Sequence, residues 1–234
     1  MSFARIFASS ATRAAPRLRV AGVSINARTF ASTGVTAAPS LTEAITEDHR
    51  KLHQYYNEIV NSNDNEHKER WGNQFIWELA RHSVAEEIVI YPSMEHYMPH
   101  GKGRAHAEKD RKQHHELKVM LKDFQNLRAG DPEYIPQLKR LYSHLENHIK
   151  EEESDDLPAL EKALADPDNA SNSEQLAKSF SRTKAIAPSR SHPAAGENPN
   201  VEATAGLPVA IFDHIADLFR KYPEGKVSPN PSTK

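Results

Sequence analysis

The chain has 234 residues, of which 38% are apolar and 26% charged, and a formal net charge of −2. That length holds one sizeable domain with extensions. The near-neutral charge gives no electrostatic case for nucleic acid or an acidic membrane as partner, and no apolar run approaches the roughly 20 residues of a membrane span. Cysteine is absent, which excludes disulfides, thiolate zinc sites, cysteine-ligated iron–sulfur clusters and cysteine nucleophiles; histidine and carboxylate remain as donors for any bound metal.

Residues 1–40 differ in composition from the rest. Arg5, Arg13, Arg17, Arg19 and Arg28 lie among Ala, Ser, Thr and Val, and the first acidic residue is Glu43. An arginine-rich, serine-rich, acid-free segment has the composition of a mitochondrial transit peptide. The stretch Arg28-Thr29-Phe30-Ala31-Ser32-Thr33 resembles a two-step matrix processing site. The arginines interrupt the unbroken apolar core that a secretory signal needs. The expectation is a mitochondrial matrix protein whose presequence, residues 1–40, stands outside the fold.

From Leu41 onward apolar residues recur at spacings of three and four, which predicts amphipathic helices. The first carries Ile45, His49, Leu52, Tyr56 and Ile59, starts near Ser40 or Thr42, and is broken by Asn61-Ser62-Asn63-Asp64-Asn65. The second carries Trp71, Phe75, Leu79, His82, Glu86 and Val89 and ends at Tyr91-Pro92. The third carries Asp110, His114, Leu117, Leu121 and Phe124 and stops before Gly130-Asp131-Pro132. The fourth carries Leu138, Leu141, Leu145, His148 and Glu152, bends near Pro158 and fades by Asp166-Pro167. Strand-type alternation is absent. Four such helices with short connections predict an all-α, up-down-up-down antiparallel four-helix bundle over residues 41–164. Residues 165–206, rich in Pro, Ser, Asn and Ala, read as an irregular linker. Residues 207–222 predict one more amphipathic helix, with Ile211, Ile215, Leu218 and Phe219 packing on the bundle or on a second copy, and 223–234 form a tail.

His49, His82, Glu86, His114, His148 and Glu152 occupy stripe positions otherwise held by leucine, and they form two copies of one phrase. His49 precedes His82-x-x-x-Glu86 by 33 residues, and His114 precedes His148-x-x-x-Glu152 by 34. Residues four apart share a helix face, so each His/Glu pair points into one cavity. Four imidazoles and two carboxylates around the bundle axis suit iron, manganese or zinc. Buried carboxylates without a partner are costly, and a cation accounts for them. Glu87 and Glu153 follow the proposed ligands by one residue, and the apolar phase favours Glu86 and Glu152.

These phrases resemble the haemerythrin-like, or HHE, domain. The likeness rests on Asp48-His49-Arg50-Lys51-Leu52, on His82-Ser83-Val84-Ala85-Glu86-Glu87 running into Ile90-Tyr91-Pro92, and on His148-Ile149-Lys150-Glu151-Glu152-Glu153 followed by Leu157-Pro158. The resemblance, over roughly residues 41–164, implies two non-haem iron ions bridged by the two glutamates, with oxygen or another diatomic molecule as ligand. Oxygen-carrying members have a fifth histidine, usually from a His-x-x-x-His pair on the third helix; here the residue four before His114 is Asp110 and the residue four after is Lys118. Asp110, His53 and His144 are further candidates, and the change puts reversible oxygen carriage in doubt. His67, His96, His100, His106, His115, His192 and His214 read as surface or loop residues. The expected function is a di-iron protein that binds a diatomic molecule or holds and senses iron. The alternatives are a di-iron oxidoreductase acting on oxygen, peroxide or nitric oxide, and a helical adaptor without metal.

Overall fold

The computed structural model describes residues 39–169, 172–192, 213, 216–217 and 220–224. Helices α1 (Leu41–Val60), α2 (Asn65–Ala85), α3 (Tyr91–Tyr97), α4 (Lys102–Phe124), α5 (Tyr134–Glu151), α6 (Leu157–Leu164) and α7 (Asn172–Ile186) follow in order, with no strand among the described residues. None of these helices is long and apolar enough to cross a membrane. Ser40 opens α1 with a reciprocal cap: its hydroxyl accepts from the Glu43 N–H at 3.2 Å, and the Glu43 carboxylate accepts from the Ser40 N–H at 2.8 Å. Asp64 caps α2, accepting from the Glu66 N–H at 3.0 Å.

The second helix does not end at its proline. Glu86–Ile90 form a wide π turn in which the Tyr91 N–H donates to the Glu86 carbonyl, and the chain continues as α3. Glu152–Asp156 form the same turn between α5 and α6, with the Leu157 N–H on the Glu152 carbonyl. Each π turn is followed by a proline near the start of the next helix, Pro92 or Pro158. A proline ring collides with the carbonyl four residues back and brings no N–H. The extra residue in the turn carries the helix past it. The expected stop at Tyr91-Pro92 is therefore corrected to Tyr97.

The apolar stripes divide into two clusters. One contains Leu41, Ile45, Ile90, Met94, Leu157 and Phe180; the other contains Leu52, Ile59, Phe75, Leu121, Phe124 and Leu141. Along α1, α2 and α4, and from α5 into α6, the buried residues run from one cluster to the other through a polar stretch, so a charged layer lies between two hydrocarbon layers. Gly103 allows α4 to pass α3, since a Cβ there would sit 1.8 Å from the Met94 carbonyl oxygen.

The stretch expected as an irregular linker, 165–206, instead contains α7. Its apolar face is narrow, with Ala177 and Phe180 buried and Leu176 beside them. So small a stripe supports a helix only because the bundle covers it. Residues 193–206 lie outside the described residues, as do residues 1–38 and most of 207–222, including the whole apolar face assigned there. Asp213, Ala216 and Asp217 are helical. Beyond them, the Tyr222 and Lys221 carbonyls accept from Arg70 at 2.8 Å and Asn73 at 3.0 Å, tying the C-terminal segment to α2.

Candidate metal centre

His49, His82, Glu86, His114, His148 and Glu152 meet in the layer between the two clusters, each almost fully buried. His82 Nε2 lies 3.1 Å from Glu86 Oε1, and His114 Nε2 lies 3.4 Å from Glu86 Oε2. Glu86 thus faces one helix pair with each oxygen. Two groups of donor atoms, each within 4.8 Å of one another, are His49, His82, Glu86 and Glu86, His114, His148; Glu86 is common to both. Glu152 falls in neither group, but its Oε2 lies 3.3 Å from His49 Nε2.

The outward ring nitrogens explain why the inner ones point inward. His49 Nδ1–H donates to Glu153 at 2.8 Å, His114 Nδ1–H to Glu87 at 3.1 Å, and His148 Nδ1–H to the Gln113 amide oxygen at 2.9 Å. His82 Nδ1 faces Asp48 Oδ2 at 3.5 Å. An Nδ1 proton held in this way leaves the Nε2 lone pair free for a cation. The partners repeat with the ligands: Glu87 of the first copy holds His114 of the second, and Glu153 of the second holds His49 of the first. Asp48 and Gln113 each precede a site histidine and face the histidine of the next helix. Glu87 is anchored in turn by Lys118 at 2.5 Å, and Asp48 by Lys51 and Lys184.

Burial and charge set the protonation of the empty-handed donors. Burial and the nearby Glu152 push the Glu86 carboxyl up to about 7. Burial alone would lower His82, but Glu86 and Asp48 carry it up to about 10. His49 is likewise raised, the pull of Glu152 and Glu153 outweighing burial. Burial and the charge of His114 press His148 down to about 3. Protons on His49 and His82 therefore balance the carboxylates when no metal is bound.

The donor set fits a pair of cations. His49 Nε2, His82 Nε2 and both oxygens of Glu86 and of Glu152 are buried with no hydrogen-bond partner. His114 and His148 bring Nε2 atoms to 2.9 Å while each donates its Nδ1 proton outward. At that distance the two nitrogens can share one proton, or both face one cation. Such orphaned groups are rare in native interiors.

Tyr91 is a further residue of the site, its hydroxyl in hydrogen-bond contact with His114 Nε2 at 2.8 Å. Asp110 is fully buried with both oxygens unpartnered, and burial, Asp156 and Glu152 push it up to about 8. It joins neither donor group. His53 turns away, to the Tyr142 hydroxyl at 2.6 Å, and His144 is exposed. His106, expected at the surface, is partly exposed and bonds the buried Asp156.

The hemerythrin HHE cation binding domain matches residues 40–160. A hemerythrin-like protein of Schizosaccharomyces pombe, itself uncharacterized, is 45% identical over 183 residues, covering 78% of this chain and 88% of its own. A DNA nickase of Nostoc sp. is 26% identical over 145 residues, covering 62% of this chain and 39% of its own length. No solved structure matches. The chain belongs to the hemerythrin HHE cation-binding family.

Proposed function

From that membership, we propose that the chain is a mitochondrial non-haem di-iron protein that binds oxygen or a related diatomic molecule, or holds and senses iron. The observation carrying this reading is Glu86, whose two oxygens belong to two buried donor groups and lack any other partner. His49 and His82 would hold one ion with Glu86, and His114 and His148 would hold the other. Glu152, beside His49, supplies the second carboxylate. Iron held there would supply the electrons for binding a diatomic ligand. The hydrocarbon clusters on either side keep water from the layer. Tyr91 sets its hydroxyl against His114 Nε2 at the edge of the donor layer. We read the four long helices as an up-down-up-down bundle, supported by their short connections, and residues 1–40 as the mitochondrial presequence.

A second reading, a di-iron oxidoreductase acting on oxygen, peroxide or nitric oxide, is favoured by Tyr91 and Asp110. Turnover needs a proton source, and these two buried side chains hold protons close to the layer.

The test is an anaerobic Fe(II) titration of the chain, followed by exposure to oxygen under optical absorption. A visible band that requires two irons per chain and reverses when oxygen is removed supports the binding or sensing role. A band that forms once and decays to a ferric product supports the oxidoreductase. Failure to bind iron overturns both.

A further inference from the structure

The internal repeat shows which side chains the fold itself requires. Positions 41, 45 and 49 on α1 correspond to 106, 110 and 114 on α4, and 82, 86 and 90 correspond to 148, 152 and 156. In the first copy the positions beyond the ligands are Leu41, Ile45 and Ile90, all fully buried hydrocarbon. In the second copy they are His106, Asp110 and Asp156. Asp110 and Asp156 are also fully buried, and both oxygens of Asp110 and Oδ2 of Asp156 have no hydrogen-bond partner. Hydrocarbon fills the equivalent place without difficulty, so packing does not call for these carboxylates, and burying them is costly.

The polar file leads outward. Asp110 stands one helical turn from His114, and His106 one turn further along α4. Asp156 stands one turn from Glu152 in the π turn. His106 Nδ1 bonds Asp156 Oδ1 and its ring reaches solvent, as does Asp155. Donor atoms of His106, Asp155 and Asp156 lie within 4.8 Å of one another. Lys109 Nζ stands by, 3.5 Å from Asp156 Oδ2, 3.8 Å from Asp110 Oδ1 and 3.3 Å from Glu151. Its side chain is 41% exposed, so the ammonium can withdraw into water when another cation arrives.

We infer that His106, Asp155 and Asp156 form a third divalent-cation site at the protein surface, from which ions pass by Asp156 and Asp110 to the buried pair. One imidazole and two carboxylates suit Fe(II) or Mn(II). The route rests on the reading of the inner layer as a metal pair; the outer site has its own donors and its own test.

The metal-free full chain is titrated with Mn(II), and free aqueous Mn(II) is followed by electron paramagnetic resonance. The parent binds a tight pair and a third, weaker ion. His106→Ala and Asp155→Asn each remove the weaker ion, leave the pair, and slow filling of the pair by about tenfold or more in stopped-flow mixing. Both side chains reach solvent, and circular dichroism verifies that the variants fold. Lys109→Ala tightens the third site, because it removes the competing ammonium. A parent that binds only the pair, or variants that keep the third ion or fill the pair at the parent's rate, overturn the inference. A parent that binds no Mn(II) overturns the metal-pair reading and this inference together.

Discussion

Glu86→Gln separates the cost of the site from its use. The substitution keeps shape and removes charge. In the metal-free protein the Glu86 carboxyl sits up at about 7, so near neutrality it already spends much of its time in the uncharged form that glutamine imitates. Its charged fraction still helps hold the proton on His82, so the metal-free melting temperature should fall by the equivalent of about 1–3 kcal/mol. With metal the loss is larger. An ion present at about 100 times its Kd stabilises the fold by about 2.7 kcal/mol, so a pair contributes about 5 kcal/mol. In a domain of this size that raises the melting temperature by roughly 10–20 °C. Glutamine takes the anionic donor from both groups at once. A loss of about 100-fold at each position leaves about 0.4 kcal/mol per ion, or a rise of only a few degrees. Thermal melts with Fe(II) and with chelator, for the parent, Glu86→Gln and the exposed control His115→Ala, measure all of this. A Glu86→Gln protein that keeps the parent's metal-induced rise, or one whose metal-free form falls as far as its loaded form, would refute the reasoning.

The outer glutamates should act through the rings they hold: Glu87→Gln and Glu153→Gln each weaken metal binding by about 10- to 100-fold in chelator competition without abolishing it, and an unchanged affinity in both would remove them from the site. Metal affinity should rise with pH. His82, at about 10, and Glu86, at about 7, hold protons that an ion must displace, so apparent affinity gains up to about tenfold per pH unit for each displaced proton. Metal-free stability runs the other way. The raised His82 contributes fully below its ordinary 6.5 and loses that contribution as pH climbs through about 10, which melts of the chelated protein across that range would detect. Phe180→Ala should cost roughly 3–5 kcal/mol in urea denaturation, because Phe180 is buried and sets its ring edge-on to His82 at 5.8 Å. Gly103→Ala should cost about 1–3 kcal/mol or more, since the Met94 carbonyl it strikes is backbone.

The helical stripes and the six donors were legible because burial and helical period are both written in residue type. A polar residue at a leucine position declares itself, and the offsets of 65 and 66 residues show it twice. The outer layer was not legible by that route. Glu87, Glu153, Asp48 and Gln113 lie one residue off the stripe, where periodicity assigns water-facing side chains. Continuing the repeat through neighbouring positions would have paired Glu87 with Glu153. The π turns matter here. A wider turn brings consecutive residues closer in direction, so Glu86 enters the cavity while Glu87, also buried, turns to the Nδ1 of His114. Both prolines are visible in the sequence, where they signal a stop and a bend and not the widening of the turn before them. The unequal positions of the repeat argue furthest. Where the two copies share a residue, the fold and the inner donor layer account for it. Where Ile45 corresponds to Asp110, Ile90 to Asp156 and Leu157 to Tyr91, hydrocarbon fills the equivalent buried place, so packing alone does not call for the polar member of each pair.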